Sequence, residues 1–157
     1  LRAAWKALIE IRIADAEDAE AISSLVIRTL RGSNVGDYDP DHIATLVAGF
    51  SPMGVLERMT GRRTFVALRV GEVVGVASLG DRRVHTVFIS PELQKQGIGA
   101  ALMARVEALA QTCGMISLTL RSSKTAEGFY QKLGYQSLRV EMSGLEQTIV
   151  MNKELRR

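Results

Sequence analysis

A chain of 157 residues is long enough for one domain with a true hydrophobic core and too short for two independent ones. Its 46% hydrophobic and 24% charged composition excludes a disordered or collagen-like chain, and a formal charge of +3 is too mild for a dedicated binder of polyanions. A single cysteine, Cys113, excludes an internal disulfide, and two histidines, His42 and His85, are too few for a zinc cage, so no metal is expected and the chain reads as cytoplasmic.

One domain is expected over 11–153, with 1–10 as an N-terminal extension. That opening stretch is too short and too polar for a secretory apolar segment, and the missing initiator Met suggests numbering that starts inside a longer reading frame. Ile11 to Ala14 reads as a first strand. Asp15 is then a good N-cap, with Glu17 and Asp18 in the first turn, and Ile22, Leu25, Val26, Thr29 and Leu30 follow at helical spacing up to Gly32. Ser33 to Pro40 has loop chemistry. Two short helices follow, about 41–49 and 52–60, separated by Ser51-Pro52.

The texture then turns β-rich. Thr64–Val70 and Val73–Leu79 are strands joined by a two-residue hairpin read at Gly71-Glu72, and Gly80-Asp81-Arg82 leads into a third strand, Val84–Ile89. After Pro91, Gly97 and Gly99, the positions Ile98, Leu102, Val106, Leu109 and Cys113 mark one helix face, which makes Cys113 a small buried residue. Gly114 stops that helix before a strand, Met115–Leu120. Ser122 or Ser123 caps the next helix, with Ala126/Tyr130 and Phe129/Leu133 as i,i+4 pairs and Gly134 at its end. Two last strands, about 136–142 and 146–152, flank a turn near Ser143-Gly144. Antiparallel strands first and α/β crossovers afterwards predict an α/β domain: a mixed, mostly antiparallel, six- or seven-stranded twisted sheet with helices on both faces.

The most informative segment is Val87–Leu102: a strand, a short polar loop, two glycines two apart, then an amphipathic helix. Small residues let backbone approach a ligand, and a helix start offers unpaired N–H groups under a favourable dipole. The segment is a phosphate or pyrophosphate cradle or, equally well on spacing alone, an ordinary strand–helix turn. It contains no Gly-x-x-x-x-Gly-Lys-Ser/Thr string. Leu102 stands where a dinucleotide fingerprint wants a third small residue, so that fold is disfavoured.

Gln94-Lys95-Gln96-Gly97-Ile98-Gly99 resembles the (Arg/Gln)-x-x-Gly-x-(Gly/Ala) signature of the GNAT superfamily, acyl-CoA-dependent N-acyltransferases, and it follows an aliphatic-x-Pro strand end, Ile89-Ser90-Pro91, as in that family. Ser123–Tyr135 is similar to a second family block, Asn-x-x-Ala-x-x-Phe/Leu-Tyr-x-Lys-x-Gly-Phe/Tyr, and departs from it where Ser123 replaces Asn. The resemblance spans the element order from about 11 to 152 and implies a GNAT fold.

It also implies acetyl-CoA as co-substrate, without a metal, and a small-molecule or protein amine as acceptor, with a homodimer allowed. The loop amides of Gln96, Gly97, Gly99 and Ala100 would then hold the pyrophosphate, with Gln94, Lys95 and Ile98 also among the cofactor-binding residues. Val87, Phe88 and Ile89 would pair with the pantetheine arm across a bulged strand, and Ser123, Ala126 and Phe129 would line its other side. Tyr130 is the implied acid for the departing thiolate, its alternative being a core aromatic. His85 lies four before Ile89, read as the same strand face, and is the candidate base, its alternative being a bystander. Arg83 stands where some members carry a Glu base. Asp37, Tyr38, Asp41 and His42 fall where the family often builds one wall of the acceptor cleft, and Arg121 and Lys124 are candidates for the CoA phosphates. No nucleophile is implied, so the amine is expected to attack directly. The rival reading is a non-catalytic acyl-CoA-binding regulatory domain. Tyr130 favours the enzyme and Arg83 the regulator.

Overall fold

The structure, a computed structural model, describes residues 8–32, 36, 38–143 and 146–155. The opening residues 1–7, the loop positions 33–35, Asp37, Gly144 and the last two residues, Arg156 and Arg157, lie outside the described residues. The elements are β1 (Ile9–Ile13), α1 (Ala19–Arg31), α2 (Pro40–Gly49), α3 (Pro52–Met59), β2 (Arg63–Arg69), β3 (Glu72–Gly80) and β4 (Arg83–Ile89). Then come α4 (Ile98–Thr112), β5 (Ser117–Ser122), α5 (Glu127–Lys132), β6 (Gln136–Ser143) and β7 (Glu146–Glu154).

Seven strands form one open sheet in the order β1-β2-β3-β4-β5-β7-β6. Among the described residues only β4 and β5 run parallel; the other neighbours are antiparallel. Both faces are covered over β2 and β3, which explains why Thr64–Leu68 reads as an unbroken apolar run instead of alternating. Phe65 and Ala67 pack with Leu102, Met103, Val106 and Ala110 of α4. Val66 and Leu68 pack on the other side with Ile22, Leu25, Val26 and Leu30 of α1 and Val55 of α3.

Local chemistry accounts for the boundaries, including those that differ from the sequence reading. β1 begins at Ile9, two residues early, and pairs Ile9 with Arg69. The β2–β3 turn is Val70-Gly71, one residue ahead of the Gly71-Glu72 reading, with Arg69 opposite Glu72. Both turn residues are left-handed, φ +49° and +79°, which matches the twist of a two-residue hairpin but strains the β-branched Val70. Asp81 and Arg82 repeat that geometry between β3 and β4 at φ +51° and +59°. Cys113 is exposed, contrary to its expected burial. Cys113 is the C-cap of α4, its N–H still on the Leu109 carbonyl, and Gly114, at φ +82°, turns the chain away directly after it, so Cys113 lies at the open end of the helix.

Candidate functional site

Strand β4 carries a bulge. Ser78 of β3 lies opposite His85, and Val76 lies opposite Phe88, so Thr86 and Val87 together face Ala77. Thr86 absorbs the extra residue at φ +52°. A bulge also resets which side chains share a face. Val87 and Ile89 pack on the α4 side, whereas Phe88 packs with the α1 core and His85 shares the face of its cross-strand neighbour Ser78. The expectation that His85 and Ile89 share one face is therefore corrected. It assumed an unbroken period of two.

Beyond the bulge, β4 leaves its other neighbour. Its ladder with β5 consists of the single pair Arg83–Thr119, and the two parallel strands diverge towards their C-terminal ends. Open α/β sheets bind ligands outside the carboxyl ends of parallel strands, because there the backbone edges lack a strand partner. Both sequence motifs converge on this gap, one after each strand.

The loop after β4 is tied down at its start. Ser90 is fully buried and donates its N–H to Val74, and the Gln94 side-chain amide donates to the Ile89 carbonyl at 3.1 Å. Lys95 and Gly97 are both left-handed, at φ +64° and +90°. The first bond of α4 runs from the Ala101 N–H to the Gly97 carbonyl, and no side chain caps the helix. The N–H groups of Ile98, Gly99 and Ala100 thus sit in the uncapped first turn, at the positive end of the dipole. Lys95 and Gln96 are exposed, while the Ile98 side chain belongs to the core, so of Ile98 only the backbone N–H belongs to the uncapped turn.

The two glycines act differently. Gly97 is required by its backbone angle. Gly99 is required by a neighbour: a Cβ there would meet Phe129 Cζ at 2.9 Å and Ile89 Cγ1 at 3.6 Å. The close approach that Gly99 permits is by the Phe129 ring, so this part of the sequence reading changes. Phe129 is 37% exposed and lies across the start of α4.

Ser123 accepts a hydrogen bond from the Ala126 N–H at 3.2 Å, closing the turn ahead of α5. Gly134 ends that helix at φ +99°, with the Tyr135 N–H returned to the Tyr130 carbonyl at 3.1 Å. Ala126 packs partly buried against the core. Tyr130 is buried, with ring contacts to Phe129 at 5.0 Å and Tyr135 at 5.9 Å. Burial pushes its phenol pKa well above the usual value, and the nearby Tyr38 phenol adds to the push. The phenol therefore stays protonated throughout the neutral range. Tyr135 donates to Glu107 at 2.8 Å, and Lys153 donates to the same carboxylate at 2.9 Å, which locks the end of α5 to α4 and β7.

His85 stands apart from this constellation. Its Nε2 lies 3.1 Å from the Gly80 carbonyl; as donor to that oxygen, Nε2 carries the proton and leaves Nδ1 as the acceptor. Burial and then the charge of Arg62 hold its pKa below the ordinary 6.5. Arg121 pairs with Glu141 across β7 at 3.2 Å, and Lys124 is exposed. Asp39 caps α2 by accepting from the His42 N–H at 2.8 Å. His42 packs against Tyr38 at 5.1 Å between ring centroids, and its Nε2 lies 3.3 Å from a Glu146 carboxylate oxygen, off the line of a hydrogen bond. Glu146 was not among the sequence candidates. Nothing in its local sequence marks it; only the order β5-β7-β6 carries the start of β7 to α2.

A mixed sheet with one parallel pair that splays beside two motif loops defines the GNAT architecture. A solved GCN5-related N-acetyltransferase from Rhodopseudomonas palustris has the same fold, with TM-score 0.87 at 23% identity over 93% of this chain and 95% of that one. The PaiA N-acetyltransferase of Thermoplasma acidophilum, solved in complex with coenzyme A, superposes with TM-score 0.81 at 19% identity over 93% and 98%. In sequence, the uncharacterised N-acetyltransferase YafP of Escherichia coli (strain K12) is 24% identical over 139 residues, 87% of this chain and 89% of its own length. The family model described as an acetyltransferase (GNAT) domain matches residues 34–153. The chain belongs to the GNAT acetyltransferase family.

Proposed function

We propose that this protein transfers an acetyl group from acetyl-CoA to an amine by direct attack, at the gap between β4 and β5. The observation that carries the reading is the one-pair β4–β5 ladder opening beside the uncapped start of α4. An extended pantetheine arm, with its two amides, fits a strand edge that lacks a partner. A pyrophosphate fits the loop and helix amides of residues 94–100, because backbone N–H groups at a helix start bind anions without a side-chain counterion. Val87, Phe88 and Ile89 supply the backbone edge on one side. Ser123, Ala126 and Phe129 line the other.

Tyr130 holds the proton that the departing thiolate takes up; its buried, protonated phenol supports that role. The acceptor must lose a proton as the new amide forms. His85, neutral at physiological pH with Nδ1 available as acceptor, is assigned to take it through water. Tyr38 and His42, with Glu146 beside them, form the wall on the acceptor side, and the carboxylate there favours a cationic amine over an anionic one.

The test is release of CoA thiol from acetyl-CoA with a panel of amines. Amine-dependent thiol release with a mass-identified N-acetyl product supports the enzyme. CoA binding without release for any amine would return the chain to the regulatory reading.

A further inference from the structure

We infer that the acceptor is an amine that also carries an oxyanion, a carboxylate or a phosphate, and that Arg62 and Arg83 bind that group. The inference rests on the acetyl-transfer reading for the amine and on the fold alone for the anion site. Three residues meet at Gly80, the end of β3. Arg83 is its cross-strand partner, His85 Nε2 lies 3.1 Å from its carbonyl oxygen, and a Cβ on it would stand 2.8 Å from Cγ of Arg62. Gly80 therefore lets the Arg62 stem lie against the sheet beside Arg83.

All three side chains are on one face. Gly80 alternates with Ser78 and Val76 along β3, and Val76 belongs to the core under α1, so the Arg62 stem crosses that face. Val84 packs on the α4 side, which turns its neighbours Arg83 and His85 the other way. Tyr38 also packs against the α1 core, so the arginines share their side of the sheet with the wall assigned to the acceptor. A hollow on that side is lined by both Arg58 and Thr86, and so runs from the arginines to the bulge in β4.

This corner holds an excess of positive charge. Arg62 and Arg83 are half-buried, and among the described residues neither guanidinium has a hydrogen bond or an ion pair. Arg58 adds a third cation near Arg62, its Nε donating to the Gly49 carbonyl at 3.3 Å and its guanidinium covering the Phe50 ring. The charge of Asp81 opposes them, but Asp81 is exposed and pairs with neither. Like charges held together without a counterion oppose the compact state. A guanidinium fork matches a carboxylate or a phosphate through two parallel hydrogen bonds, and an oxyanion bound there relieves the repulsion.

Position sets the shape of the ligand. Arg83 stands three residues before Thr86, about 10 Å along the strand. The amine sits beside the bulge, and the oxyanion lies at the Arg62–Arg83 end. Glu146 is at the other end: it precedes Ile149, the partner of Ser122, by three residues, whereas Arg83 is level with Thr119. The acceptor is thus read as a cation from one side and as an anion from the other. Arg83, standing where a Glu base is found in some family members, holds substrate instead.

The experiment pairs acceptors that differ only in the anionic group: an aminocarboxylate with its amide, and an amino phosphate with its dephosphorylated form. CoA thiol release is measured for the wild type, Arg62→Gln and Arg83→Gln, with circular dichroism as a check of folding. One anionic member should exceed its neutral counterpart in kcat/KM by at least about tenfold, and the pair that shows this identifies carboxylate or phosphate. Either variant should raise KM for that acceptor at least about tenfold, with kcat and KM for acetyl-CoA unchanged. In a separate arm, acetate and inorganic phosphate are titrated into the protein while the Gly80 amide and arginine Nε–H resonances are followed by nuclear magnetic resonance. Saturable shifts are expected in the wild type and should vanish in the double variant Arg62→Gln/Arg83→Gln. If no amine gives thiol release but these shifts saturate, the acetyl-transfer reading fails and the anion site stands. Equal use of charged and neutral acceptors, a charge preference that survives both substitutions, or the absence of saturable shifts overturns the inference.

Discussion

Helices α1 and α4 are entered in opposite ways. Ahead of α1 runs a 3-10 turn, Ala16–Asp18, closed by a capping box: Asp15 accepts from the Glu17 N–H at 2.9 Å, Asp18 accepts from the Asp15 N–H at 2.8 Å, and Arg12 grips Asp18 with two bonds of 2.8 and 2.9 Å. The chain meets the needs of that helix start with its own carboxylates. At α4 no side chain caps the helix, and two left-handed residues, Lys95 and Gly97, precede its first turn. Position in the fold explains the contrast. The α1 start follows a fully paired edge of the sheet, whereas the α4 start lies beside strands that have separated. One start is complete in itself; the other presents N–H groups that we propose an anionic ligand takes up.

If that division is right, variants at the two ends should separate chemistry, binding and stability. The largest effect is expected beyond the open end, at Tyr130. Tyr130→Phe keeps the ring stack and removes the proton, so kcat should fall about 10²-fold or more, roughly 2.7 kcal/mol, while the Kd for CoA moves little. Steady-state kinetics and CoA calorimetry on one preparation check both halves. Wild-type kcat would make Tyr130 a core aromatic only.

Gly97→Val comes next. It forces a β-branched residue to φ +90° and disturbs the amides that follow, so CoA affinity should fall at least about tenfold, roughly 1.4 kcal/mol. Gly99→Val should also weaken CoA binding, but by clashing with Phe129. Adding Phe129→Ala should then recover part of the loss, whereas a direct clash with ligand would not be relieved.

At the closed end the effect is smaller and of another kind. Asp15→Ala should lower unfolding stability by about 1 kcal/mol and leave CoA affinity unchanged. Arg12 and the Asp15 N–H hold the Asp18 carboxyl below its ordinary 3.8. That contribution is complete above pH 3.8 and is lost as pH falls through the lower folded value, so Asp18→Asn should flatten the acid side of the stability curve in urea titrations.

The smallest change is expected at His85. Its folded pKa lies below 6.5, so the base stays neutral down to pH values under 6.5 and the acid limb of kcat/KM should lie there. His85→Ala should lower kcat/KM a few-fold above that limb and progressively less below it, where the wild-type histidine is itself protonated, short of the loss for a base that touches the amine itself. An unchanged acid limb would make His85 a bystander.

Local chemistry made much of this legible. Asp15, Ser123 and Gly134 each announce a helix end through a bond formed within a few residues, and the α1 stripe follows from helical period alone. Misreadings arose where distant segments decide. The bulge at Thr86-Val87 has no composition signature, yet it moves His85 to the other face from Ile89. Gly99 and Phe129 were each marked by a motif, but their contact joins segments thirty residues apart and exists only once β5 lies beside β4. Glu146 reaches His42 only through the strand order.

The central claim is that the uncapped start of α4 holds the pyrophosphate of CoA. Calorimetric titration of the wild type and Gly97→Val with CoA and with pantetheine, which lacks the pyrophosphate, tests it most directly. The account predicts that the wild type binds CoA about a hundredfold tighter than pantetheine, roughly 2.7 kcal/mol, and that this gap narrows in Gly97→Val. Equal affinities for the two ligands in the wild type, or a gap that Gly97→Val leaves intact, would contradict it.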